Sequence, residues 1–224
     1  MNTKTLLHDQ HVVVVGGTSG IGQAVAAAAH AAGAKVTALG RGSAIACDVT
    51  DPVSVTQAFE RLGSVDHLVI TTGARVGSPH LAQLTDAELA LTYEVKLFGA
   101  LRVIRAALPK LAPQASVTLT SGLLSRKPSA GGLLKGSVNA AIEAAARQLA
   151  KELAPRRVNV VSPGVIDTEL WSGAAREATL ARIGAGLPVG RVGRPEEVAQ
   201  AYLFAMVSGF VTGSVIDVDG GGLL

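Results

Sequence analysis

Residues 12–29 read VVVVGGTSGIGQAVAAAA, a run of valines followed by a glycine-rich loop and an alanine-rich segment. Four consecutive β-branched residues are typical of a strand that is buried on both faces of a parallel sheet. Gly16, Gly20 and Gly22 allow the backbone to turn sharply and leave room for a ligand. The alanine-rich segment predicts a helix, whose free N–H groups and positive dipole end favour a pyrophosphate in the loop. A nucleotide-binding strand–loop–helix unit is therefore predicted here.

Strand and helix patterns alternate along the whole chain, with no linker or internal repeat between them. Strands are predicted at 12–15, 35–39, 67–71, 116–120, 157–162 and 214–218, and helices at 20–32, 52–62, 85–111, 135–154 and 195–206. This alternation indicates an α/β fold with one doubly wound parallel sheet, Rossmann-like, and helices on both faces. We expect a single dinucleotide-binding domain over residues 1–224, with its ligand beyond the carboxyl ends of the strands.

One connection between the predicted strands is unusually short. The second strand ends near Leu39, and the chain reaches Asp48 only nine residues later. This leaves no room for a crossover helix followed by a further full strand. We therefore expect the adenosine side of the site to be open.

The bulk composition indicates a soluble globular protein. Of the 224 residues, 48% are hydrophobic and 17% are charged, which excludes a disordered chain. Cys47 is the only cysteine, so no intramolecular disulfide can form, in keeping with a reducing cytoplasm. Residues 1–10 lack a signal-peptide pattern, and no apolar run reaches the ~20 residues of a membrane span. We expect a cytoplasmic protein without a membrane segment.

The charged residues and the histidines argue against two further kinds of site. The net charge is +3, but basic residues occur at most in pairs with acids interspersed, so nucleic-acid binding is not expected. The five histidines show no metal-ligand spacing, so no metal site is expected.

Several separate motifs support a family resemblance. A glycine loop, GGTSGIG, lies at 16–22, an acid–hydrophobic pair is Asp48-Val49, and a P-G-x-x-x-T turn lies at 163–168. The segments 193–204 and 211–221 look like a closing helix and strand. On these motifs the chain resembles the short-chain dehydrogenase/reductase family from about its tenth residue to its C-terminus.

The resemblance implies which residues contact a nicotinamide dinucleotide. Asp48-Val49 is implied to contact the adenine, and the P-G-x-x-x-T turn is implied to hold the nicotinamide carboxamide. The other implied contacts are Gly16, Thr18, Ser19, Gly20, Ile21 and Gly22 of the glycine loop, Thr72 and Gly73 after the third strand, and Pro163, Gly164, Ile166 and Thr168 of the later turn.

The end of the second predicted strand indicates which dinucleotide is bound. The family's NAD-binding acid is missing there, because the chain reads Leu39-Gly40-Arg41 and no acid precedes Asp48 in this segment. A guanidinium binds a 2′-phosphate through two parallel hydrogen bonds, whereas a carboxylate repels it. Arg41, helped by Ser43 and Thr18, therefore favours NADP(H). The alternative is a solvated loop arginine.

The catalytic residues of the family are only partly present. Ser121 matches the serine that hydrogen-bonds the reacting carbonyl in the family. On the long helix, Lys135 stands at the position of the family's tyrosine and Asn139 at that of its lysine. Lys96 stands at the position of the asparagine on the preceding helix. The tyrosine that usually donates the proton, with a pKa lowered by the lysine, is therefore replaced.

Other residues could replace the family's tyrosine and lysine in two ways. Lys135 and Asn139 lie four apart on one helix face, so Lys135 can donate the proton while Asn139 contacts the nicotinamide ribose. Partial burial, or Lys96 nearby, would lower the pKa of Lys135. Alternatively, Lys96 makes the ribose contact from the other helix, which exchanges Lys and Asn between positions 96 and 139. A third interpretation is a decayed site with both lysines as surface charges. Tyr93 lies one turn before Lys96 and could replace the missing tyrosine, but a role as a packed residue on the helix surface is favoured over this one.

The predicted function is that of an NADP(H)-dependent oxidoreductase acting on a small carbonyl or alcohol by hydride transfer. Ser121 would orient the carbonyl, and Lys135 or a water held by Lys96 would supply the proton. The alternative is a catalytically impaired NADPH-binding protein of the same fold, a sensor or partner.

The resemblance also implies a partner and a lid. Family members pair through two long helices, so a homodimer or homotetramer is expected. Small side chains on one of these helices would permit close approach, or would face the sheet: Ala140, Ala141, Ala144 and Ala145. Residues 169–187, with Trp171, fall where the family has its mobile substrate lid.

Overall fold

A computed structural model describes residues 6–224. Its sheet has six parallel strands in the order β2-β1-β3-β4-β5-β6. The strands are β1 (His11–Val15), β2 (Lys35–Leu39), β3 (Val65–Ile70), β4 (Leu111–Thr120), β5 (Arg157–Pro163) and β6 (Val215–Val218). The doubly wound parallel sheet is therefore confirmed. Residues 1–5, which belong to the predicted domain and to the segment without a signal-peptide pattern, lie outside the described residues.

Helices cover both faces of the sheet. They are α1 (Gly20–Ala31), α2 (Pro52–Glu60), α3 (Asp86–Tyr93), α4 (Gly99–Ala107), α5 (Leu133–Glu152), α6 (Arg176–Ala185) and α7 (Pro195–Val207). One hydrophobic core joins α2, α4 and α5 to one face, and a second joins α1 and α7 to the other. None of the helices in the described part of the chain is long and apolar enough to span a bilayer.

The valine run of β1 contributes to both cores. Val13 and Val15 belong to the first core, whereas Val12 and Val14 belong to the second. Successive side chains of a strand point to opposite faces, so an unbroken apolar run is needed only where both faces are covered. This requirement places β1 inside the sheet, between β2 and β3.

The prediction of one continuous helix over 85–111 is wrong, because the helix is interrupted and ends before residue 111. A π-helical turn, Glu94–Phe98, separates α3 from α4. The chain then enters β4 already at Leu111, because Leu111 pairs with Val65 ahead of a shift in strand register. Long-range pairing thus overrides a helical local pattern. Helix α6 lies within the segment predicted as a lid. The strand predicted at 116–120 begins five residues earlier, at Leu111, and the remaining predicted elements agree to within two residues at each end.

The short connection after β2 is confirmed. Between β2 and α2 the chain forms only an isolated bridge between Gly40 and Ala46, and β2 is the edge of the sheet. Asp51 then caps α2 through its side chain. Arg41 and Gly42 are exposed in this connection, on the side predicted to be open.

Candidate active site and cofactor cleft

The glycine loop packs too closely for side chains. Gly16 has a φ of +85°, and a Cβ added to it would lie 2.7 Å from Thr71 Oγ1. A Cβ on Gly22 would lie 2.2 Å from the carbonyl oxygen of Gly16. Thr71 Oγ1 also donates to that carbonyl at 3.2 Å. These contacts hold the loop after β1 against the turn after β3.

The N-terminus of α1 is free to bind an anion. Ser19 is its N-cap residue, but the Ser19 side chain makes no capping hydrogen bond, and no acidic residue lies in the first turn. Thr18 and Ser19 are exposed, and Ile21 is partly buried. The backbone N–H groups and the helix dipole therefore favour a pyrophosphate at this position.

The turn after β5 borders the same loop. A Cβ added to Gly20 would lie 3.5 Å from the Thr168 side chain. One on Gly164 would lie 2.7 Å from the Cα atom of Asp219, so the turn needs glycine there. Pro163 is the last residue of β5, and Ile166 packs in the second core. The predicted contact of Ile166 with a cofactor is therefore limited to its backbone.

A cavity of about 710 Å³ opens between α1 and the segment predicted as a lid. Its lining includes Gly20, Thr168 and Trp171. Trp171 Nε1 donates to the carbonyl of Ile166 at 3.0 Å, and Arg176 forms an ion pair with Asp167. These contacts hold the lid segment beside the cleft.

Arg41 and its predicted helper Ser43 differ in whether their side chains have partners within the protein. Arg41 is exposed and has no ion pair within the described residues. Ser43 Oγ instead donates to the carbonyls of Gly40 and Ile45, at 2.9 and 2.7 Å. Ser43 therefore stabilises its own turn, and its role beside the 2′-phosphate remains a prediction. Arg41 keeps its guanidinium available.

The Asp48-Val49 pair lies in the connection before α2, and its predicted adenine contact remains a prediction. Asp48 accepts hydrogen bonds from the backbone N and Oγ1 of Thr50, at 3.0 and 2.7 Å, and these bonds lower the pKa of its carboxyl group. Val49 is buried, and a Cβ on Gly99 would lie 2.9 Å from its side chain. Val49 thus packs inside the protein, whereas both bonds to Asp48 use Oδ1 and leave its Oδ2 available for an adenine contact.

Thr72 and Gly73 provide an observation that fits a bound cofactor. The hydroxyl of Thr72 is buried and has no hydrogen-bond partner among residues 6–224. Gly73 beside it is exposed, and nothing lies within 4 Å of a Cβ added there. Buried polar groups are normally hydrogen-bonded, so an external partner for Thr72 is expected. Together with the glycine loop, this cleft defines a dinucleotide-binding protein.

Lys96 lies at the carboxyl end of β4, on the π-helical turn. π-Helical turns occur frequently at functional sites. Although the residue as a whole is only partly buried, its ammonium group is enclosed and donates to the carbonyl of Ser121 at 3.0 Å. Burial, and secondarily the charge of Lys135, lower the pKa of Lys96 to about 8. Its amine can therefore exchange a proton near neutral pH.

Asn139 reaches the neighbouring carbonyl. Its Nδ2 donates to the carbonyl of Gly122 at 3.3 Å, and its Oδ1 is buried without a partner in the described chain. A Cβ on Gly122 would lie 2.9 Å from Nδ2. Successive carbonyls, of Ser121 and Gly122, thus hold Lys96 and Asn139. The structure brings these two predicted residues together from different helices.

The Ser121 side chain hydrogen-bonds a buried acid of α5. Its hydroxyl donates to Glu143 Oε1 at 2.9 Å, and Ser125 Oγ donates to the same atom at 2.6 Å. Arg126 lies 3.7 Å from the other carboxylate oxygen. The predicted orientation, with the hydroxyl on a substrate carbonyl, is therefore not the one observed. A catalytic role for Ser121 would require its side chain to rotate.

Lys135 lies at the mouth of the site. Its ammonium is half-buried and donates to Ser78 Oγ at 3.0 Å. Burial lowers the pKa of Lys135, though less than that of Lys96. Because Lys135 precedes Asn139 by one helical turn, the two predicted substitutes lie on the same face of α5.

The tyrosines and the cysteine do not replace the missing acid. Tyr202 is buried, with its hydroxyl 2.6 Å from Thr120 Oγ1, and burial raises its pKa. Tyr93 is the last residue of α3 and is partly exposed. Cys47 is buried, and burial raises its pKa to about 11, so it packs rather than reacts.

Glu143 is the functional neighbour that the motifs do not predict. It is buried on the same face of α5 as Val138 and Ile142, which belong to the core side of the helix. The signal in the sequence is Asn139 followed by Glu143 four residues later, two polar residues within an apolar stripe. Buried acids require partners.

Comparison with known proteins identifies the family. Residues 37–222 match the family model described as Enoyl-(Acyl carrier protein) reductase. Short-chain dehydrogenase/reductase malC of Malbranchea aurantiaca is 32% identical over 258 residues, covering 99% of this chain and 97% of that protein. Carbonyl reductase family member 4 of Danio rerio is 32% identical over 232 residues, covering 93% and 96%. A crystal structure of a small-chain dehydrogenase in complex with NADPH matches with a TM-score of 0.92 and 40% identity, covering 96% and 99%.

The chain belongs to the short-chain dehydrogenase/reductase family and is an oxidoreductase of that family. The predicted family and enzyme class are therefore confirmed. The NADPH in the structural neighbour is the cofactor predicted for this chain from Arg41.

Proposed function

We propose that this chain binds NADP(H) across the carboxyl ends of β1, β2 and β3. The free N-terminus of α1 would hold the pyrophosphate, and the exposed guanidinium of Arg41 the 2′-phosphate. The unpartnered hydroxyl of Thr72 would hydrogen-bond the same molecule. NADPH, when bound, supplies a hydride for transfer to a carbonyl carbon.

The proposed reaction is the reduction of a carbonyl to an alcohol, or its reverse. Hydride addition leaves a negative charge on the oxygen, which then takes up one proton. Lys96 carries the proposal, because its enclosed ammonium has a lowered pKa and only one acceptor among the described residues, the carbonyl of Ser121. An ammonium has three N–H donors, so it can hold a water that passes on the proton. Lys135 is the second candidate donor.

The positions of Lys96 and Asn139 support an exchange of roles. Both side chains bind successive carbonyls at the end of β4, although they come from different helices. Lys96 would then contact the nicotinamide ribose in place of the family's lysine. Asn139 would stabilise the turn and, through its free Oδ1, accept one further hydrogen bond.

Steady-state NADPH oxidation with a panel of aldehydes and ketones tests this proposal. We expect Lys96→Met to lower kcat/KM by roughly a hundredfold, because it removes the proton source and a positioning contact. Lys151→Met, on the exposed end of α5, is the matched control and should retain wild-type kinetics. A Lys96→Met enzyme with more than half of the wild-type kcat/KM would contradict the assignment.

A catalytically impaired NADPH-binding protein is the second candidate. Its specific support is that the Ser121 hydroxyl donates to Glu143 and that Tyr202 is buried against Thr120. Fluorescence titration with NADPH separates the two functions. Tight binding without turnover of any carbonyl in the panel, in wild type as in Lys96→Met, would favour the non-catalytic function.

We further propose a homodimer through α4 and α5, or a homotetramer built from it. Ala140 and Ala144 are exposed on α5, and Phe98 and Leu101 are exposed at the start of α4. Exposed apolar side chains on these two helices favour an interface there. Light scattering should show an oligomer for wild type and a smaller species for Ala144→Arg. A monomeric wild type would overturn this proposal.

A further inference from the structure

Two ammonium groups of the active site have no acidic partner. Neither Lys96 nor Lys135 has a carboxylate within 4.0 Å in the described part of the chain. Some other basic residues are paired, such as Arg102 with Glu94 and Arg176 with Asp167, whereas Arg41 is unpaired among residues 6–224 but exposed. Lys96 and Lys135 differ from Arg41 because their unpaired ammonium groups are enclosed and half-buried, respectively.

Such an arrangement is unfavourable without a ligand. A cation removed from water loses hydration, and two like charges in one cleft raise the cost further. The nearest buried acid, Glu143, already binds Ser121, Ser125 and Arg126. The anionic groups of the proposed cofactor belong to the N-terminus of α1 and to Arg41, at the ends of β1 and β2. An additional anion would compensate the two lysines.

Lys135 and Ser78 together offer two hydrogen-bond donors to a carboxylate. Lys135 donates to Ser78 Oγ, so the Ser78 hydroxyl acts as acceptor and keeps its own proton to donate. An oxyanion beside this pair would receive one N–H and one O–H. Because Lys135 is half-buried and Ser78 exposed, a ligand can reach them from solvent.

We propose that the substrate of this site is a carbonyl compound that also carries a carboxylate, bound by Lys135 and Ser78. The inference rests on the proposed reductase function and adds the substrate class. Lys96, deeper in the cleft at the carbonyl of Ser121, remains beside the reacting oxygen. One carbonyl is reduced by a hydride and a proton, and the carboxylate is unchanged.

Paired substrates with one ketone test the substrate class. Phenylglyoxylate and its methyl ester differ in charge, and the ester has the more electrophilic ketone. We expect wild type with NADPH to show a kcat/KM roughly tenfold or more higher for the acid. Lys135→Met should lower this acid-to-ester ratio by roughly tenfold. Lys135→Arg keeps the charge and should preserve most of the ratio, and Lys151→Met should not change it.

The outcomes separate the two proposals. Turnover of the ester at the same rate as the acid overturns the carboxylate assignment while the reductase function stands. An equal fall of the ratio in Lys151→Met overturns it as well, because the effect would then be one of net charge. If neither compound is reduced, calorimetric titration of phenylglyoxylate into the NADPH complex decides. Binding that weakens roughly tenfold in Lys135→Met supports the assignment, and no binding to wild type overturns it.

Discussion

The two ends of the cleft are built from different parts of the chain. At the ends of β1 and β3 the backbone forms the site, through Gly16, Gly22 and the N-terminus of α1. At the end of β4 side chains form it, with Lys96 from the π-helical turn and Asn139 and Glu143 from α5. A site formed by the backbone depends on the residues of one contiguous segment, so that segment cannot change. A site formed by side chains can receive the same groups from a different helix while the fold is kept. The glycine loop accordingly keeps the family motif, whereas the family's tyrosine, lysine and asparagine are replaced at positions 135, 139 and 96.

The glycine loop and the catalytic end of the cleft also differ in how many polar groups lack a partner when no ligand is bound. Close contacts maintain the glycine loop by themselves, because the added Cβ distances of 2.7 and 2.2 Å leave no room for alternatives. The catalytic half contains two unpaired ammonium groups and the unpartnered Oδ1 of Asn139. We expect ligands to stabilise the catalytic half more than the glycine loop.

Gly22→Ala should produce the largest effect, in the cofactor half. The new Cβ would lie 2.2 Å from the Gly16 carbonyl, so the loop must move. We expect the free energy of unfolding to fall by about 3 kcal/mol and NADPH affinity to fall roughly a hundredfold. Urea denaturation and fluorescence titration measure these two quantities. Gly42→Ala is the control, since no atom lies within 4 Å of its added Cβ, and a similar loss there would invalidate the steric explanation.

Arg41→Ala should affect one cofactor and not the other. Loss of charge-assisted hydrogen bonds to a 2′-phosphate should weaken NADPH binding by roughly tenfold or more and leave NADH binding nearly unchanged. Arg41→Lys should fall between the two, since an ammonium keeps the charge but not the paired geometry. Titrations of both dinucleotides are the measurement. Equal weakening of both would remove Arg41 from the phosphate site.

The pH dependence of carbonyl reduction should report Lys96. Burial lowers its pKa from 10.5 to about 8, so the ammonium form loses its proton at a lower pH than an ordinary lysine. Reduction needs the protonated form, so kcat/KM should be constant below pH 8 and then fall by roughly tenfold per pH unit. Oxidation of the alcohol should change in the opposite sense. A profile that stays flat to pH 10, or one unaltered in Lys96→Met, would exclude Lys96 as the proton source.

Ser121→Ala should have the smallest effect on catalysis. With its hydroxyl on Glu143, removal should lower kcat/KM by less than about threefold. It should lower the free energy of unfolding by about 1 kcal/mol. Ser125→Ala removes a bond to the same carboxylate oxygen and should have a similar effect on stability. A tenfold loss of kcat/KM in Ser121→Ala alone would show that the hydroxyl turns to the substrate during the reaction.

Much of the fold follows from local pattern. Val12 to Val15 predict a strand that is buried on both faces, and the structure places them in the two opposite cores. The missing strand after Leu39 follows from chain length alone, because twelve residues, 40–51, cannot hold a crossover helix and a strand. Leu111 is different, since its strand conformation depends on pairing with Val65 far away in sequence.

The site, like the fold, is predictable from the sequence only where local patterns determine it. Glycine spacing and Arg41 are local signals, because they are recognised from a few consecutive residues, even though the folded loop packs against Thr71 and Thr168. Ser43 and Asp48 form turn hydrogen bonds with residues two positions away, Ile45 and Thr50. The partner of Ser121 is different, because Glu143 lies 22 residues away in sequence and is brought to it only by folding.

Residues 12–29 thus specify a dinucleotide loop without reference to the rest of the chain, since backbone geometry and valine burial depend on local composition. Which side chains face the reacting oxygen is decided only by the packing of the π-helical turn and α5 against the end of β4. There Lys96 and Asn139 meet adjacent carbonyls, and Glu143 binds the serine hydroxyl. Hydrogen-bond partners that are distant in sequence are selected by the three-dimensional fold, because only folding brings them within bonding distance.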